Sequence, residues 1–75
     1  MKIKLKIFGH FIYQSGFREK EVTIPHSFTV AELLLFINLK KQSPMIITRN
    51  GKKIDHDDKI EDGDRIVIAP FFSGG

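Results

Sequence analysis

The sequence predicts an α+β fold in which one amphipathic helix lies across one face of a small mixed sheet. Three observations carry this reading. Apolar residues alternate with lysines over the first seven positions. A capping-box pattern, Thr29-Val30-Ala31-Glu32, opens the one long stretch with helical apolar spacing. Beyond it, Asn50-Gly51 and Asp62-Gly63-Asp64 punctuate short β-rich runs that end near Ala69.

The elements follow in order. Ile3, Leu5 and Ile7 alternate with Lys2, Lys4 and Lys6, the pattern of a half-buried strand over Met1 to Phe8. The lysines mark its solvent face, and their number points to a solvated sheet edge, since lysine blunts unpaired edges. Gly9 and Gln14-Ser15-Gly16 bracket a connection whose Phe11, Ile12, Tyr13 and Phe17 can form a short turn against the core. Glu21-Val22-Thr23-Ile24 reads as a second strand stopped by Pro25, pairing with the first as a long-looped antiparallel hairpin. Val30, Leu33, Leu34, Ile37 and Leu39 then recur at helical spacing, giving a helix near residues 30–40 with Phe28 as the preceding staple and Ser43-Pro44 as its stop.

Met45 to Thr48 and Lys52 to Ile54 flank Asn50-Gly51, whose residue types suit a turn that needs two positive φ values. Asp55 to Glu61 is a polar connection, and Asp62-Gly63-Asp64 turns into a strand over Arg65 to Ala69, with Pro70 ending the ladder. Ile66 and Ile68 share one face of that strand and Val67 points to the other. One helix packed on one face of such a sheet is a β-grasp arrangement. The expected core is Ile3, Leu5, Ile7, Val22, Ile24, Val30, Leu34, Ile37, Ile66 and Ile68. Residues 1–69 form the domain, and residues 70–75 form a flexible tail that reaches about 20 Å when extended.

Composition narrows the function. A chain of 75 residues supports one small core, helped by seven Phe and one Tyr. There is no Cys, which removes disulfides, thiolate metal sites and cysteine catalysis. No apolar run reaches the length of a membrane span, so a cytoplasmic protein with no membrane partner is expected. The formal charge of +3 is uneven: residues 1–41 hold seven basic and three acidic groups, residues 42–75 five and six.

His10, His26 and His56 lack metal-ligand spacing, so no metal site is expected. The acidic cluster from Asp55 to Asp64 lacks the alternating ligands of a calcium loop and reads as a solvated loop. Ser73 has no activating base near it in sequence. Phe8, Phe11, Tyr13 and Phe17 beside Arg18 and Lys20 resemble a base-stacking surface, but a core this small needs most of those rings, so nucleic acid is not the expected partner.

What remains is the end of the chain, where Gly74-Gly75 directly follow an apolar stretch with no solvating linker. Two residues without Cβ can pass a channel too narrow for side chains and place a terminal carboxylate in a partner's site.

These residues also carry a resemblance. Lys4-Leu5-Lys6-Ile7-Phe8-Gly9, the loop ending near Gly16, Glu21-Val22-Thr23-Ile24-Pro25 and Thr29-Val30-Ala31-Glu32-Leu33-Leu34 resemble the first half of the small subunit of molybdopterin synthase. Arg49-Asn50-Gly51-Lys52 and the run from Asp62-Gly63-Asp64 through Ile68 to Gly74-Gly75 are similar both to that subunit and to the thiamine sulfur carrier. Over essentially the whole chain the sequence therefore resembles the MoaD/ThiS sulfur carriers, relatives of ubiquitin.

The resemblance implies a ubiquitin-like carrier and co-substrate rather than an enzyme, acting alone or as the small subunit of a synthase complex. It implies that an adenylyltransferase related to ubiquitin-activating enzymes uses ATP to adenylate the carboxylate of Gly75. A sulfur donor protein then makes the thiocarboxylate, and a sulfur-accepting synthase or thiolase consumes it. Gly74 would give clearance, and Val67, Phe71, Phe72 and Ser73 would meet the partners. No intrinsic cofactor is implied. Molybdopterin, thiamine and tRNA thiolation pathways all use such carriers. Two other readings stand beside this one: a ubiquitin-like modifier or adaptor, and a β-grasp module that binds nucleic acid.

Overall fold

The computed structural model describes residues 1–39 and 45–71. Its elements are β1 (Lys2–Ile7), α1 (Phe11–Ser15), β2 (Glu19–Thr23), β3 (Phe28–Thr29), α2 (Val30–Phe36), β4 (Met45–Arg49), β5 (Lys52–Lys53), β6 (Lys59–Ile60) and β7 (Arg65–Pro70). Five strands form one mixed sheet in the order β2-β1-β7-β4-β5, and β3 with β6 forms a separate two-stranded ladder. The β-grasp arrangement read from the element order is the arrangement found.

The alternation in β1 buries Ile3, Leu5 and Ile7 and leaves the lysines in solvent. Those lysines do not mark an edge, however. β1 lies between β2, antiparallel, and β7, parallel, and the edges belong to β2 and β5. Lys4 stands opposite Glu21 and Lys6 opposite Glu19, so the acidic face of β2 offsets the lysine row.

Helix α2 begins as expected. Glu32 N–H donates to Thr29 Oγ1 (3.2 Å) while Glu32 Oε1 accepts from Thr29 N–H (2.9 Å), completing the capping box. The first two helical amides donate to the loop before β6: Val30 to the Asp58 carbonyl and Ala31 to that of His56 (2.9 and 3.0 Å). The helix ends earlier than its apolar spacing predicts. Asn38 takes φ 64°, its N–H donates to the Leu35 carbonyl, and Leu39 N–H donates to that of Leu34, which is a Schellman closure. Leu39 is therefore buried from beyond the helix rather than from within it. The expected stop at Ser43-Pro44 lies outside the described residues.

All ten expected core residues are buried, joined by Phe11, Phe28, Leu33, Leu39, Ile47 and Ile60. Ile60 belongs to β6, inside a segment read as a polar connection; the short pairing of β6 with β3 seats it and Phe28 under α2. Phe28 also meets Phe36 edge-on at 5.5 Å. Of the turn aromatics, Phe11 is buried and Phe17 packs on the core, but Tyr13 is 87% exposed and contributes nothing to it. Asn50 (φ 51°) and Gly51 (φ 87°) make the expected hairpin turn, with Arg49 facing Lys52. Strand β7 runs one residue further than expected: Pro70 is buried and faces Met45. No helix among the described residues is long and apolar enough to cross a membrane.

Two measurements check this packing. Leu34→Ala is expected to cost about 2–5 kcal/mol in chemical denaturation, since it leaves a cavity between helix and sheet. The Glu32 carboxyl titrates below its ordinary value because it accepts hydrogen bonds from the Thr29 backbone and hydroxyl, with His26 and Lys59 adding attraction. A lowered folded pKa adds stability that is complete above the ordinary carboxyl range and lost as pH falls through the lowered value. NMR titration should find Glu32 depressed in the parent protein and moved up towards its ordinary value in Thr29→Ala.

Candidate functional site

The outer face of the sheet, opposite α2, and the point where the chain leaves β7 form the candidate site. Since β7 occupies the sheet centre, its outward residues are flanked on both sides. Val67, half-buried, stands in register with Lys6 of β1 and Thr48 of β4. Ala69 stands beside Ile46. Phe8 follows β1, donates its N–H to the Ile68 carbonyl at 2.9 Å and remains 45% exposed, with Lys6 Nζ 5.3 Å from its ring centre. Ile46, Val67, Ala69 and Phe8 thus give the outer face an apolar end next to the tail.

The opposite end is polar and positive. Lys4 and Arg65 are in-register neighbours on exposed positions, a like-charge pair that a sheet tolerates at some cost. With Thr48, Asn50, Gly51, Gly63 and Val67 they line an open depression of about 500 Å³ that has no carboxylate among those residues. Such a surface suits an anionic group on a partner.

The start of β7 is fixed by carboxylates. Asp64, only 8% exposed, accepts hydrogen bonds from Glu61 N–H (2.8 Å) and Asn50 Nδ2 (3.4 Å) and has Arg49 Nη1 at 3.9 Å. Asn50 returns the tie, accepting from Arg65 N–H through Oδ1 (2.9 Å). Asp62 accepts from Lys2 N–H at 2.7 Å, and Asp58 accepts from Asp55 N–H at 2.7 Å. The acidic cluster is therefore not simply a solvated loop. Three of its carboxylates hold backbone amides in place, the usual work of Asp in turns.

Of the site residues expected from sequence, Val67 lies on the outer face and Phe71, 57% exposed, is the first residue beyond β7. Phe72, Ser73, Gly74 and Gly75 lie outside the described residues. Sequence reasoning missed Phe8, Ile46 and Ala69 as parts of this surface. Phe8 occupies the even register of the lysines, and that parity was the available signal. Phe11 is fully buried, so the aromatic surface considered for nucleic acid loses one of its rings. Among the described residues no three His, Asp or Glu side chains gather into a metal-holding group.

The comparisons agree with this fold. The model of the ThiS family matches residues 5–75. A Pyrococcus furiosus protein assigned as molybdopterin converting factor subunit 1 superposes with a TM-score of 0.76 at 25% identity, covering 93% of this chain and 97% of that one. SAMP1, a small archaeal modifier protein from Haloferax volcanii, gives 0.73 at 20% identity, covering all of both chains. A similar chain in the Helicobacter pylori complex of molybdopterin-converting factor subunits 1 and 2 gives 0.67 at 21% identity, again covering both chains fully.

Asp64→Ala should lower stability by about 1–3 kcal/mol, because the Glu61 amide and the Asn50 side chain lose a buried acceptor. A urea midpoint equal to that of the parent protein would show that Asp64 does not hold the start of β7.

Proposed function

The chain belongs to the ThiS family, and from that premise we propose that it carries sulfur on the carboxylate of Gly75. Proteins of this family are small carriers that work with partner subunits, not enzymes. The proposed reaction starts with a partner adenylyltransferase, which binds ATP. A Gly75 carboxylate oxygen attacks the α-phosphorus, pyrophosphate leaves, and an acyl-adenylate forms. The carboxylate is a poor electrophile, and AMP is the good leaving group it lacks. Sulfide, delivered by a sulfur donor protein, attacks the acyl carbon and AMP departs, leaving a thiocarboxylate for a sulfur-accepting synthase.

The observation that carries this reading is the family match running through to the two glycines. The tail leaves from the centre of the sheet, beside an apolar outer surface, and this supports a division of tasks. Val67 and its neighbours would dock on the partner, with Lys4 and Arg65 meeting an acidic group there. Phe71, Phe72 and Ser73 would follow the groove that leads inward. Gly74 would pass its narrowest part, since it adds no side chain. The Helicobacter pylori neighbour, solved with its second subunit, supports a partner of this kind.

A second reading has its own support. SAMP1, similar over the whole chain, is named as a modifier. In that case the activated Gly75 would acylate a lysine amine on another protein instead of accepting sulfur. Both readings share the adenylation step. Intact-mass spectrometry after incubation with ATP, the cognate activating enzyme and sulfide separates them: an oxygen-to-sulfur mass change marks the carrier, and mass additions to other proteins mark the modifier.

Deleting Gly75, or adding one residue after it, should abolish ATP–pyrophosphate exchange with the activating enzyme and leave the thermal melt unchanged. Gly74→Val should impair exchange by placing a β-branched side chain in the channel. Wild-type exchange by the shortened and extended proteins would rule out the terminus as the reactive group.

A further inference from the structure

We propose that Gly9 is a positioning residue for the reactive tail, its missing side chain forming the seat in which Pro70 fixes the tail's root. The proposal rests on the reading of Gly75 as the reacting end. Four glycines among the described residues have positive φ, and three of them, Gly16, Gly51 and Gly63, face open space where a Cβ would be. Gly9 differs. At φ 68°, a Cβ built on it would lie 2.6 Å from Pro70 Cγ and 3.0 Å from Cδ. The proline ring occupies the space that any other residue at position 9 would fill.

Both partners are held. On one side of Gly9, Phe8 N–H donates to the Ile68 carbonyl (2.9 Å); on the other, the Gly9 carbonyl accepts from Ile12 N–H (3.1 Å) in α1. Helix α1 is itself anchored by the buried Phe11. Pro70 faces Met45 on the β4 side and is buried. The last residue of β7 is therefore gripped between β4 and the Gly9 turn, and the next residue, Phe71, is exposed. When the outer face docks on an enzyme, this grip sets where the five following residues start and in which direction they leave. With the following residues held extended in the partner's groove, a displacement of about 1 Å at the root is passed to the carboxylate beside ATP, and a misplacement of that size costs about a hundredfold in rate. A Cβ at position 9 demands a movement of that size, because 2.6 Å is far inside van der Waals contact.

The role predicts a particular kinetic pattern, because Pro70 is buried on the inward register of Ile66 and Ile68, away from the outer face that docks. Gly9→Ala should lower kcat for pyrophosphate exchange by about tenfold or more while the KM for this protein stays within about twofold. Pro70→Ala empties the seat and should also lower kcat. Combining them places an alanine Cβ 3.9 Å from the Cβ of residue 70, an ordinary contact, so the double variant should recover much of the kcat lost by Gly9→Ala. Gly16→Ala imposes the same left-handed backbone with nothing within 4 Å and serves as the control for backbone strain; its kcat should match the parent's. Parent-like kcat in Gly9→Ala, an equal loss in Gly16→Ala, or no recovery in the double variant would overturn the proposal. If Gly9→Ala fails to fold, Pro70→Ala decides, and unchanged kcat there overturns it. Absence of exchange by the parent protein overturns the sulfur-carrier reading and this role together, whereas exchange indifferent to residues 9 and 70 overturns this role alone.

Discussion

The structure depends on β7 lying in the middle of the sheet. It pairs in parallel with β1 through Lys4–Arg65 to Ile7–Ile68, and antiparallel with β4 through Arg49–Ile66 to Met45–Pro70. Ile66 and Ile68 are completely buried under the helix, so the strand supplies the core on one face and the candidate contact surface on the other. Its two ends are fixed by different chemistry. At the start, the Asp64 carboxylate gathers the Glu61 amide and the Asn50 side chain. At the finish, a proline ring fills the vacancy left by a glycine side chain. The segment beyond Phe71 is thus attached to the most constrained strand of the molecule rather than to a sheet edge.

Local signals were legible in the sequence wherever their physics is local. Alternation in β1, the Thr29–Glu32 capping box and the Asn50-Gly51 turn each need only a few neighbouring residues, and each is present in the structure. What stayed hidden depends on contacts between distant residues. The lysines of β1 looked like an edge because alternation reports which face is wet and says nothing about which strand lies alongside. β3 and β6 are two residues each, too short for any periodicity, and exist because Phe28 and Ile60 are pressed together across a sequence gap. The end of α2 was misplaced because Ser43-Pro44 is a stronger stop on paper than Asn38, which tolerates the left-handed turn and ends the helix first.

The candidate site divides in the same way. Val67 could be placed on the outer face by counting from Ile66, since successive strand residues alternate. The Gly9–Pro70 contact joins positions some 60 residues apart, and neither residue carries a mark of the other. The Asp64 network was concealed by composition, since a run of acids between two turns resembles a solvated loop until the backbone amides that point at it are known. The face that results holds apolar residues near the tail and the like-charged Lys4–Arg65 pair away from it. It offers contact surface rather than bond-making groups, as expected of a protein whose chemistry is completed by others.

The parallel pairing of β1 with β7 also determines how the molecule bears force. A load applied between the β1 end at Lys2 and the β7 end at Pro70 acts along the two strands in opposite senses, so it shears their shared hydrogen bonds together instead of opening them one at a time. Rupture would require several bonds to yield in a single event, and forced unfolding is governed by the height of that barrier rather than by equilibrium stability. The domain can therefore resist being pulled apart by a load on its last strand, even though its small core limits its thermodynamic stability.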